Sequence, residues 1–437
     1  MAAEQNSFHE LRGWYTIRSD LKAIWGMSIY RISNRALRFV SSLIAGMVIA
    51  TTVLAAPFET LPSFDASAVL GPKAAGSNYK VTSPIRTDGL VRTYNLETPY
   101  GQFRVEGDSF FQMRLKELAA IEALSKVEDT KTFRDSFQKS LKAPVNFVGD
   151  AITKPVETVE RTITGVGRLF GRVASGVRNV GKSPDNMAQA LLGVSSAKRE
   201  IAIGLGVDPY TDFKPLAERL ERAAQASAVG GLTVKGLFLL VPGGAGLAVS
   251  SASSASNVAD LVRERTPSEL RDINRSKLTR AVGGKRSIGL FLDNRNYTPA
   301  DQTIIAEALF KLRQVRNVNA FLVRAAGIAE RSQAVFMRVR AAMLARHHRD
   351  VEPFSEFVTI AGIPFCRSND GKTIGVFPID DLVWTERTAG LVSRVSGELD
   401  SAGQNKGVEL FITGKATKLS KKELQKFNWS IVEQVTW

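Results

Sequence analysis

Histidine is the scarcest of the residues that do acid–base or metal chemistry: the 437 residues contain three, His9, His347 and His348. Adjacent residues on a helix point about 100° apart, so His347 and His348 cannot form the i,i+4 pair that grips a metal ion. With Arg346, Arg349 and Asp350 beside them they read as a solvated helix end. A Ser-His-Asp triad would have to take its base from this pair, and no Gly-x-Ser-x-Gly elbow is present to hold the serine. The string His348-Arg-Asp350 matches the start of a kinase catalytic loop, without the other parts of that set. Gly371-Lys-Thr373 has the ending of a phosphate loop, but the glycine required five residues earlier is Cys366, so a hairpin turn is the better reading. Gly165-Val-Gly167-Arg-Leu-Phe170 lacks the third glycine of a dinucleotide fingerprint, and Pro242-Gly-Gly-Ala-Gly246 follows a helix-like run rather than a strand. Cys366 lies in an apolar strand pattern, which fits a buried thiol better than a nucleophile. Paired carboxylates could serve a hydrolase, but their spacing is uninformative without a fold. The expectation is a protein that binds rather than catalyses, with no cofactor and no metal.

Two segments carry contact chemistry instead. Between residues 144 and 182 apolar side chains fall at Val145, Val148, Ile152, Val156, Val159, Ile163, Val166, Phe170, Val173, Val177 and Val180. Steps of three and four place them on one stripe of a helix about ten turns long. Lys154, Arg161, Arg168, Arg172 and Arg178 flank it. Five glycines between 149 and 176 each cost a free helix about 1 kcal/mol, and Pro155 should kink or divide it. Such a segment folds only against something apolar, either a lipid surface or the protein's own helices. Residues 223–259 contain one charge, Lys235, and read as a helical hairpin turning at Pro242, with arms too short to span a bilayer. It is either buried in the protein or dips into a membrane.

Compartment follows from the N-terminus. The uncharged run Phe39–Leu54 is preceded by Arg31, Arg35 and Arg38 and followed by Ala55-Ala56-Pro57. That order is a cleavable signal peptide over 27–55, with Met27 as the natural start and 1–26 as an over-extended start or a cytoplasmic tail. The run is short for a stable span, so an uncleaved inner-membrane anchor is the second reading. A single cysteine suits the bacterial periplasm or cell envelope better than a eukaryotic secretory route. The net charge of +15 attracts phosphate. In an exported protein that points to anionic lipid or an envelope partner protein, and nucleic acid is not expected.

The elements complete the reading. Residues 56–78 look like a flexible mature N-terminus; Tyr94, Leu96, Phe103 and Val105 around Thr98-Pro-Tyr-Gly101 predict a β-hairpin, and 109–142 a helix. Residues 183–350 form a helical domain. Within it Thr298 caps a helix that starts at Pro299, and a long helix runs through 319–348. In 351–437 strands at 357–366 and 373–378 flank the turn Ser368-Asn-Asp-Gly371, and a βαβ-like end follows a helix at 386–399. The expected class is mainly α with a small α/β C-terminal domain, α+β overall. The function expected is that of an exported envelope protein that binds or scaffolds at a membrane surface. A periplasmic hydrolase and a secreted membrane-inserting protein are the alternatives.

Overall fold

The computed structural model describes residues 58–142, 184–228, 231–240 and 253–436. The signal segment, the stripe Val145–Val180 and the turn at Pro242 lie outside the described residues.

The chain opens with β1 (Ser63–Phe64), α1 (Ala66–Leu70), a 3-10 turn (Gly71–Ala74) and β2 (Ala75–Gly76). β3 (Tyr79–Thr87), β4 (Arg92–Thr98) and β5 (Gly101–Glu106) complete an antiparallel sheet in the order β1-β3-β4-β5, with β2 also on β3. The predicted hairpin is β4–β5, closing where Thr98 pairs with Gly101. Residues 58–78 are not a loose lead-in: Asp65 caps α1, and the Glu59 carboxylate accepts from the Trp384 N–H at 2.9 Å and the Thr417 hydroxyl at 2.5 Å.

The helices follow: α2 (Asp108–Glu128), α3 (Lys131–Lys142), α4 (Pro184–Gly204), α5 (Lys214–Ala228), α6 (Val234–Leu240), α7 (Ser253–Glu264), α8 (Pro267–Val282), α9 (Lys285–Asp293), α10 (Pro299–Lys311), α11 (Asn319–Ala326) and α12 (Arg331–Asp350). The helix expected over 109–142 is interrupted after Glu128, where the Thr130 hydroxyl accepts from Phe133 N–H and restarts the chain as α3. The helix expected over 319–348 is two, α11 and α12, because the chain turns at Gly327; Phe321 lies in the first, Ile328 between them, and Val335, Val339 and Met343 in the second. Thr298 and Asp301 form a reciprocal capping box at the start of α10, with Pro299 in its first turn. Of the apolar segment 223–259, Ala223, Ala224, Ala226, Leu232 and Leu237 are buried in the main core. Among the described residues no helix is long and apolar enough to cross a membrane.

The C-terminal part contains β6 (Phe354–Ile360), β7 (Ile363–Ser368), β8 (Thr373–Phe377), β9 (Asp381–Leu382), α13 (Glu386–Ser401), β10 (Val408–Ile412), β11 (Lys415–Ala416), α14 (Lys418–Lys426) and β12 (Trp429–Val432). The stretch 357–366 is not one strand: it reverses at Ala361-Gly362, both at positive φ, so β6 and β7 are hairpin partners. The turn 368–371 then leads to β8, as expected. β10 runs parallel to β8 and β12, which gives the order β12-β10-β8-β7-β6 and leaves β6 at one edge.

Both faces of this sheet are covered, so β7 is buried along its whole length. Phe357, Cys366, Ile374, Val376 and Phe411 join the main core with α12. Ile360, Phe365, Leu410 and Ile412 form a second core with Val392, Val395 and Leu399 of α13 and Leu424 of α14. The fold is α+β: fourteen α-helices among the described residues, an N-terminal antiparallel sheet and a mixed C-terminal sheet.

Candidate functional site

The histidines expected at a solvated helix end are placed otherwise. His347 is 5 % exposed, stacked on Phe354 at 5.0 Å and met edge-on by Phe411 at 4.4 Å, and its Nε2 has no hydrogen-bond partner. It is buried because β6 and β10 fold back over the end of α12. His348 accepts the Phe354 N–H on Nδ1 at 2.9 Å. Both therefore belong to the joint between α12 and the sheet. Cys366 is buried, as expected of a structural thiol, and burial pushes it well above the usual thiol range. Beside it lies Arg340, 3 % exposed, which donates to Val376 O at 3.0 Å and to Pro364 O and stacks on the Phe377 ring at 4.0 Å. Burial lowers Arg340 to about 9. It rivets α12 to two strands.

A network of charges lies deep among the helices. Asp301, with no exposure, accepts from Arg331 and, at 3.1 Å, from Arg338. Burial alone would raise Asp301; the Arg338 and Arg331 guanidinium groups outweigh it and hold the carboxyl below its usual value. Asp208 accepts from the Thr298 hydroxyl at 2.5 Å, and burial and the Asp301 charge push it up to about 6. Glu117, 1 % exposed, takes Arg114 at 2.7 Å and the Thr211 hydroxyl, and burial pushes it up to about 7. Perturbed groups of this kind mark active sites, but structural ion networks perturb them equally. Here every carboxylate already holds a side chain of another element or of its own helix.

A second carboxylate group joins the two sheets. Asp380 accepts the backbone N–H of Arg92 at 2.9 Å and of Asp108 at 3.2 Å; burial and the Asp108 carboxylate push it up to about 8. Asp381 takes Arg92 in a fork at 2.8 and 2.6 Å. Asp380 thus replaces a side-chain cap at the start of α2, where Gly107 supplies none. Asp108 and Asp380 are near enough for one charge to act on the other, as the paired carboxylates of a hydrolase do, but Asp380 is committed to backbone donors.

The accessible features lie together where α11, β6 and α13 meet. A cleft of about 510 Å³ is lined by Asn317, Asn319, Thr359, Arg367, Glu398 and Gln404, with Phe357, Ile360 and Leu399 as its apolar wall. Beside it the helix ends form a basic face. α8 and α10 run parallel, as the pairs Asn274–Thr303, Lys277–Glu307 and Arg280–Phe310 advance together along both. Their C-termini and the start of α9 therefore share one end. Residues 273–292 and 308–329 contain no Asp or Glu. Arg275, Arg280, Lys285, Lys311 and Arg313 lie in these stretches, and none has a carboxylate at ion-pair distance among the described residues. Arg280 and Arg313 both rest on the Phe310 ring, at 4.9 and 4.6 Å. Cations at the C-termini of α8 and α10 complement the helix dipoles, but Lys285 stands in the first turn of α9, where the dipole opposes it. The two acid-free stretches were the sequence signal for this face; only the fold shows that they are neighbours.

No protein-family model, no curated protein and no solved structure matches the chain.

Proposed function

We propose that this is an exported protein of the bacterial envelope that works by binding, docked on an anionic membrane surface through its basic face. The observation that carries the reading is the juxtaposition of Arg275, Arg280, Lys285, Lys311 and Arg313 without a compensating carboxylate. The half-buried Phe310 beneath two of them holds their guanidinium groups at the surface. The order of basic, apolar and small residues at 31–57 supports export, and the net charge of +15 supports an anionic partner.

Sedimentation with lipid vesicles tests it. The protein should pellet with phosphatidylglycerol vesicles and not with phosphatidylcholine, and should release as salt rises, since screening acts over about 10 Å at 0.1 M. Each phosphate-facing cation near a membrane contributes about 1 kcal/mol. Arg280→Glu with Arg313→Glu should therefore weaken binding at least about tenfold per residue. Both side chains are exposed, so thermal stability should hold. Equal pelleting on neutral and anionic vesicles, or a doubly reversed variant that binds as well as the parent, would contradict the reading.

A further inference from the structure

The outer edge of β6 is only partly closed. Arg316 makes one parallel bridge to it: its N–H donates to Ser355 O at 3.1 Å and its carbonyl accepts Phe357 N–H at 2.8 Å. The chain then leaves the edge at Asn317, which takes φ +58°. At the far end the Ala361 N–H, in the strained φ +48° of the hairpin turn, is held by Glu398 at 2.7 Å. Outward-facing groups alternate along a strand, so Thr359, of the same parity as Phe357 and Ala361, turns both its N–H and its C=O away from β7. It and its partner across the hairpin, Pro364, therefore form a non-hydrogen-bonded pair. Thr359 lines the cleft, and neither of its main-chain groups meets a described residue there. An open edge that ends in a walled cleft is built for one added strand.

The cleft is polarised along that edge. At the Arg316 end two arginines, Arg316 and Arg367, share the single carboxylate of Glu356, at 3.3 and 3.6 Å. At the other end the Glu398 carboxylate faces no cation among the described residues, and one of its oxygens is left over after Ala361. The side-chain amides of Asn319 and Gln404 have unused N–H groups, since only their oxygens are engaged, by Ser287 and Arg367.

We propose that this cleft binds a short extended peptide with a free amino terminus, added antiparallel to β6. One peptide residue exchanges two main-chain hydrogen bonds with Thr359. The ammonium group lies at Glu398, and the chain runs on towards Arg316. Phe357 to Ala361 spans about 14 Å at 3.4 Å per residue, which admits three or four peptide residues. The inference does not rest on the membrane reading: none of the residues varied to test that reading lines this cleft.

The test uses the full chain labelled with 15N-threonine and two probes, the tetrapeptide Ala-Val-Ala-Val and its N-acetyl form. The free peptide should move the Thr359 amide resonance in a saturable way. Acetylation should weaken it about tenfold or more, because it removes the charge that Glu398 pairs. Glu398→Gln keeps an acceptor for Ala361 N–H and should cost the free peptide as much while leaving the acetylated one unchanged. The acetylated probe supplies the same comparison on the parent protein if that variant is unstable. A Thr359 amide unmoved at millimolar free peptide would overturn the proposal. So would equal binding of both probes, a maltotetraose that moves Thr359 where the peptide does not, or a shift that depends only on protein concentration and marks a second copy at the edge.

Discussion

Asp301→Asn should destabilise the protein by about 3–5 kcal/mol, the cost of leaving buried charge without its counter-ion. Asp301 is fully buried and is the carboxylate that Arg331 and Arg338 share, while the side chains of both arginines are at most 16 % exposed. Arg331 keeps Asp212, at 3.5 Å, the Asn296 carbonyl and the more distant charge of Asp208; the carboxylate that Arg338 meets at 3.1 Å is gone. The same substitution disturbs the capping box of α10, because Asp301 also accepts Thr298 N–H at 3.1 Å. Denaturant unfolding should show a lower midpoint. Adding Arg338→Met removes one stranded cation and should recover part of the loss. A single variant that loses less than about 1 kcal/mol would mean that the network is wet and worth little.

Acid should loosen the joint between α12 and the C-terminal sheet. Burial, and then the neighbouring His348, lower His347 to about 4, against 6.5 for a free imidazole. Between those values the unfolded chain binds a proton that the folded chain refuses, so stability rises with pH there. The His347 contribution is complete above about pH 6.5 and is lost as the pH falls towards 4; by pH 4.5 it amounts to about 2–3 kcal/mol. His347→Phe keeps an aromatic ring between Phe354 and Phe411 and removes the titration. Compared at pH 7.5 and pH 4.5, the variant should lose less stability than the parent by that amount. Parallel losses in the two proteins would place the His347 ring in water.

What the sequence made legible was local. The capped start of α10 could be read from Thr298-Pro-Ala-Asp301, the turn at 368–371 from its turn residues, and from spacing a helix near 386–399 and another beginning at Ser420, where the structure has Glu386–Ser401 and Lys418–Lys426. β3 was missed because Pro84 interrupts its alternation: Ser83 and Pro84 are both exposed, between the buried Val81 and Ile85. The reversal at Ala361 was missed because alanine is not a residue that signals positive φ. The divided helices kept their apolar spacing across the breaks, and spacing alone cannot show where a chain stops hydrogen bonding to itself. His347 was misplaced for a tertiary reason: its neighbours Arg346, Arg349 and Asp350 are polar, while the rings that bury it arrive from residues 354 and 411. The candidate surfaces were hidden in the same way. Arg280 and Arg313, or Thr359 and Glu398, are unremarkable until α8 is laid beside α10 and β6 beside α13. The stripe Val145–Val180 keeps its two readings, lipid or protein, since it lies outside the described residues.

Export is the premise on which the envelope reading stands, and the amino terminus of the protein recovered from its own cells tests it most directly. Fractionation followed by N-terminal sequencing should find the chain in the envelope or periplasmic fraction, beginning at Ala56 or one residue later. A chain found in the cytosol that still begins at Met1 or Met27 would contradict the account.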